Sequence, residues 1–147
     1  MRKHFLILLT LTLGAGCGGK NSLTADEVTA AAFDDLRSEV TAVIEDAERR
    51  EATVALIDKL ESDYRALHDS VLERRTRIRM LNADYDASRA EFIALTDELE
   101  VGVRAARKAA ALTQRDFMAS TTADEWALIS KMNTKTMQAA IAALQAI

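Results

Sequence analysis

The sequence contains no proline, one cysteine and five glycines among its 147 residues. Four of those glycines, Gly14, Gly16, Gly18 and Gly19, crowd together early in the chain, and Gly102 alone follows. A chain with so little backbone punctuation has few places for tight turns, and with only seven aromatic residues it has little material for a β core. The single cysteine, Cys17, rules out an intrachain disulfide and a zinc site built on cysteines. Basic residues are outnumbered, leaving a formal net charge of −4. General nucleic-acid binding rests on phosphate neutralisation by Lys and Arg, so no nucleic-acid partner is expected. Long apolar runs are also missing. The longest, Phe5 to Leu13 (FLILLTLTL), would extend only about 14 Å as a helix against a hydrocarbon core of about 30 Å. It has the length of a secretory signal's apolar region, not of a membrane span.

What is present around that run is ordered in a recognisable way. Arg2, Lys3 and His4 precede it, and Gly14-Ala15-Gly16-Cys17 follows directly. This segment resembles the signal peptide and lipobox of bacterial lipoproteins, usually Leu-Ala/Ser-Gly/Ala-Cys. Ala15, Gly16 and Cys17 match, while Leu13 stands one position further upstream with Gly14 in its place. The resemblance implies that residues 1–16 are removed and that Cys17 becomes an acylated N-terminus held by membrane lipid. More than one acyl chain is needed for a stable anchor, since one gives only reversible attachment. Gly18 is not the aspartate that retains such proteins in the inner membrane of enteric bacteria, so the resemblance implies an outer-membrane location facing the periplasm. Residues 17–23, with Gly18-Gly19-Lys20-Asn21-Ser22 at their centre, read as a flexible leash. Loss of Arg2 and Lys3 would move the net charge of the mature chain to about −6.

The remainder, residues 24–147, reads as one all-α domain rich in the helix formers Ala, Leu, Arg and Glu. Thr24-Ala25-Asp26-Glu27 has the form of a capping box and predicts a helix start. From Phe33 the apolar positions step by threes and fours through Leu36, Val40, Val43, Ala47, Arg50, Val54, Ile57 and Leu60, and onward to Leu99. That spacing predicts a coiled-coil seam with one local stammer near Ile57. A straight helix from residue 25 to 119 would run about 140 Å, and Asn82-Ala83-Asp84-Tyr85-Asp86-Ala87-Ser88 is rich in residues that favour turns. Ser88-Arg89-Ala90-Glu91 and Thr122-Ala123-Asp124-Glu125 supply two further capping boxes. Trp126, Ile129, Met137, Ala140, Ile141 and Leu144 form an apolar face on the last helix. The expected architecture is therefore an elongated antiparallel bundle or coiled coil of about three helices, near 25–81, 88–119 and 123–147. The first helix would outlast its partners and expose a stretch for self-association.

Chemistry-bearing motifs are few. His68-Asp69-Ser70 contains the letters of a catalytic triad, but adjacent helical residues point in different directions and cannot form the relay. Asp84-Tyr85-Asp86 lacks the glycine and glutamate a calcium loop needs, because Arg89 and Leu95 occupy those positions. The pairs Asp34/Asp35 and Asp97/Glu98 read as wet helix faces, and Met118, Met132 and Met137 as core packing. The densest basic cluster is Arg74, Arg75, Arg77 and Arg79. Its structural reading is pairing with Glu73, Asp69 and carboxylates of a neighbouring helix. Its functional reading is an anion patch, centred on Arg74, Arg75 and Arg79, for lipid headgroups, lipopolysaccharide or peptidoglycan acids.

The expectation from the residues is thus a membrane-tethered envelope protein, not an enzyme, with no cofactor, no metal and no small-molecule substrate. Its partners would be membrane lipid through Cys17 and either a second copy or another envelope protein. One alternative is a periplasmic stress chaperone or metal-stress hairpin. Those families carry Leu-Thr-x-x-Gln, which Leu112-Thr113-Gln114 matches in part. Another is a non-covalent spacer resembling the murein lipoprotein. The terminal Leu144-Gln145-Ala146-Ile147 lacks the lysine through which that protein is linked to peptidoglycan.

Overall fold

A computed structural model describes residues 24–146. The signal segment, Cys17, the leash up to residue 23 and Ile147 lie outside the described residues. Within them the chain forms four α-helices: α1 (Ala25–Val43), α2 (Ala47–Ala83), α3 (Arg89–Ala119) and α4 (Ala123–Ala146). The all-α reading holds, but four helices replace the three expected.

Three helix starts are fixed by the capping boxes read from the sequence. The Thr24 hydroxyl accepts from the Glu27 amide while Glu27 reaches back to the Thr24 amide at 2.7 Å. Ser88 and Glu91 repeat this at α3, and Thr122 and Glu125 at α4. Each box satisfies donors that a helix start otherwise leaves open. The expected turn at 82–88 also forms: Asp84 caps the end of α2, and its carboxylate accepts from the Asp86 amide at 2.9 Å. Asp84, Tyr85 and Asp86 are all exposed there.

The break that the heptad pattern conceals lies at Ile44-Glu45-Asp46. Here the expected helix over 25–81 is two helices. Asp46 is the N-cap of α2 and accepts from the Arg49 amide at 2.7 Å. Ile44, at 1 % exposure, plugs the end of the core. The Arg50 guanidinium, placed on the seam by its spacing, donates instead to the Ile44 and Glu45 carbonyl oxygens at 3.2 and 3.3 Å. It thereby satisfies acceptors at the end of α1 that no glycine or proline is present to manage. Ala47, also expected on the seam, is exposed.

Successive helices run antiparallel. Arg37 of α1 bonds to Asp58 (2.7 Å) and Glu61 of α2, and Asp63 of α2 accepts from Thr113 of α3 at 2.8 Å. Towards the tip, Arg77 of α2 holds Glu98 of α3 through two bonds of 2.6 and 2.9 Å. α4 returns along α1, where Thr136 donates to the Ala32 carbonyl at 2.9 Å. The core comprises Phe33, Leu36, Val40, Ile44, Ile57, Leu60, Phe117 and Ile129 with small residues around them. Tyr64 tilts against Phe33 at 6.3 Å, and Trp126 meets Phe117 edge-on at 5.9 Å. Trp126 is thus a core anchor, as its helical spacing suggested.

Burial on α4 follows Ile129, Asn133, Thr136, Ala140 and Ala143, a face rotated from the one the apolar residues predict. Small side chains at Ala32, Thr136, Ala140 and Ala143 let α1 and α4 approach closely. The rotation leaves Ile141 46 % exposed. Met132 and Met137 pack against the core, whereas Met118 is 45 % exposed and does not.

Helix lengths explain the shape. α2 and α3, with 37 and 31 residues, span about 55 and 46 Å, against about 28 Å for α1 and 36 Å for α4. The start of α1 faces His68 and the end of α4 faces Leu67 and Val71. Beyond these the α2–α3 hairpin continues by itself, with Leu95 and Leu99 buried between its two helices. The anticipated overhang therefore exists, but as a two-helix arm instead of one long helix.

Candidate functional site

Where α4 ends against the emerging arm, a groove of about 540 Å³ opens between α2, α3 and α4. Its size falls within the range of about 300–1,000 Å³ usual for ligand sites. Heptad spacing on α2 directs Leu67, Val71, Arg74 and Ile78 toward α3 and α4, one helical turn after another. α3 contributes Val103 and Arg107, which are four residues apart and so share a face. α4 contributes Ile141 and Leu144 from its last turns. The floor is aliphatic because α4 stops there, leaving core-type residues of α2 and α3 without a fourth helix to cover them.

The rim is cationic. Arg74, Arg75 and Arg107 line the groove, and among the described residues no carboxylate does. Among the described residues none of these three arginines forms an ion pair, although eight other basic residues do. The expected pairing of Arg74 and Arg75 with Glu73 and Asp69 is therefore absent, and so is any pair for Arg79. Only Arg77 of that cluster behaves as the structural reading expects, through Glu98 on the neighbouring helix. Arg77 also holds the Glu98 carboxyl below its ordinary range by this bond. Uncompensated guanidinium groups beside an aliphatic surface make a site for an anion attached to something apolar.

Of the anion patch read from the sequence, the structure brings Arg74 and Arg75 together and leaves Arg79 outside the groove lining. Arg107 replaces it. That residue lies 32 positions after Arg75, and only the pairing of α2 with α3 brings it alongside. Tyr64 closes the inner end, and burial pushes its hydroxyl above the ordinary value of 10.0, so it stays a neutral donor.

A second hollow of about 400 Å³ borders the groove at the start of α1, lined by Asp26, Glu27, His68 and Asp69 among others. His68 stands 3.7 Å from Asp26 and 3.6 Å from Asp69, too far for hydrogen bonds in either case. Glu27 is occupied by its capping box, which lowers its pKa below 4.5. Among the described residues no group of three or more His, Cys, Asp and Glu side chains is placed to hold a metal ion. No described helix is long and apolar enough to cross a membrane. No known protein family, no curated protein and no solved structure matches this chain.

Proposed function

We propose that the chain is a lipid-anchored helical protein of the bacterial envelope with a non-enzymatic role, acting by binding at the groove between α2, α3 and α4. The observation that carries the binding role is the groove itself, with an aliphatic floor and three unpaired arginines at its rim. The lipobox-like Leu13-Gly14-Ala15-Gly16-Cys17 supports the anchor and the envelope location. The first described residues of the chain lie beside the groove. Asp26, in the first turn of α1, lies opposite His68, and Leu67 of the groove is the residue before it. Six residues lie between Cys17 and Thr24, so the seven backbone steps joining them reach at most about 25 Å. An anchor at Cys17 would thus hold the groove near the bilayer surface.

Membrane fractionation tests this reading. The wild-type chain should sediment with membranes and incorporate labelled fatty acid, and Cys17→Ser should do neither. Labelling that persists in Cys17→Ser would overturn the anchor.

A further inference from the structure

We propose that the groove binds a single-chain lipid with one anionic headgroup, its acyl chain lying on the aliphatic floor and its carboxylate or phosphate held by Arg74, Arg75 and Arg107. The inference rests on the binding role assigned to the groove above and adds the class of ligand.

Charge decides for an anion. The whole chain is acidic, and half of the lysines and arginines among the described residues are engaged by carboxylates. Three arginines from two helices converge on one groove whose lining, among the described residues, includes no acid. In a net-negative protein such a gap in pairing leaves a local positive field, and guanidinium groups match carboxylate and phosphate oxygens in a bidentate geometry.

Apolar surface decides against a free ion. Leu67, Val71, Ile78, Val103, Ile141 and Leu144 line the same groove. An inorganic phosphate would use the rim and leave these in water. An amphiphile covers both, and each buried methylene adds to its affinity. Strand addition by an extended peptide is excluded because the groove is built from helices, which offer no strand edge. A two-fold dimer through this groove is disfavoured, since it would set these arginines against their own copies with no acid of the described lining between them.

The test uses the full chain purified from membranes and placed in neutral phosphatidylcholine vesicles. A photoactivatable palmitate with a free carboxylate is added, in parallel with its uncharged methyl ester, and cross-linked peptides are mapped by mass spectrometry. Labelling is expected on the peptides holding Val71–Ile78, Val103–Arg107 and Ile141–Gln145, at least about tenfold stronger for the acid than for the ester. Arg74→Gln/Arg75→Gln/Arg107→Gln should remove that preference. Ile141→Asp, at an exposed position that does not support the core, should lower labelling by both probes. Excess inorganic phosphate should compete weakly, and complete competition would assign a free-anion site instead. Equal labelling by acid and ester, or labelling unchanged in the triple variant, would overturn the proposal. Vesicle flotation is read separately, and labelling is run on whichever fraction holds the protein. A chain that floats without specific labelling loses the ligand and keeps the anchor, and a soluble chain that labels specifically does the reverse.

Discussion

Single residues set where helices begin and what the core costs to disturb. Thr122 accepts from the Glu125 amide and is one half of a capping box whose other half, Glu125, also pairs with Arg49 of α2. Thr122→Ala should therefore lower stability by about 1 kcal/mol, read as a shifted denaturant midpoint with an unchanged slope. Phe33 is fully buried and touches Tyr64, so Phe33→Ala should cost about 3–5 kcal/mol in the same measurement. Acid should weaken the fold through a defined set of carboxyls. Glu125 is held below 4.5 by Arg49 and by the Thr122 amide, Glu98 by Arg77, and Glu27 and Glu91 by their cap residues. A carboxyl with a lowered pKa in the folded state contributes stability that is present above its ordinary value and lost as pH falls through the lowered one. Thermal midpoints should thus hold from pH 7 to about 5 and fall progressively below 4.5. Glu98→Gln, which removes one such group, should flatten that fall. All three boxes were legible in the sequence because a cap is a local motif. Buried Thr53, Thr113 and Thr136 were not, because what permits their burial is a partner on another helix or the preceding turn.

Elements show why periodicity alone miscounted the helices. The threes and fours continue through residues 43–47 because Val43 before the reversal and Val54 after it both pack against the core, as they would in a continuous helix. A heptad pattern reports which face is buried, and the burying partner can be another molecule or the chain folded back. The signals for the break were Asp46, a favoured cap residue, and Arg50, whose guanidinium reaches the last carbonyls of α1. Removing the cap should make the continuous helix more competitive. Asp46→Ala is expected to lower stability by about 1 kcal/mol. It should also raise the fraction of swapped dimer in which α1 and α2 run on as one helix, a change visible by light scattering. A variant with parental stability and unchanged mass would show that the reversal depends on packing of Ile44 alone. The α4 face was misread for a related reason. Close approach of α1 selected its small and polar side, so Ile141 was left to the groove.

At the scale of the molecule, unequal helix lengths make the site. α4 ends part-way along α2, and the arm carries core-type residues past the point where two helices remain to cover them. The resulting groove combines Arg74 and Arg75, which the sequence displayed as a cluster, with Arg107, which it did not. The sequence shows the first pair as neighbours in the chain, but only the register between α2 and α3 adds the third. A membrane anchor at Cys17 would keep Thr24 within about 25 Å of its attachment point. Membrane attachment is the claim from which the position, the exposure and the ligand of this groove all take their meaning. Intact mass spectrometry of the protein purified from bacterial membranes tests it most directly. The expected species is a chain that begins at Cys17 and carries diacylglycerol and acyl groups on that residue. A chain that retains residues 1–16, or that begins near Cys17 with a free thiol, would contradict it.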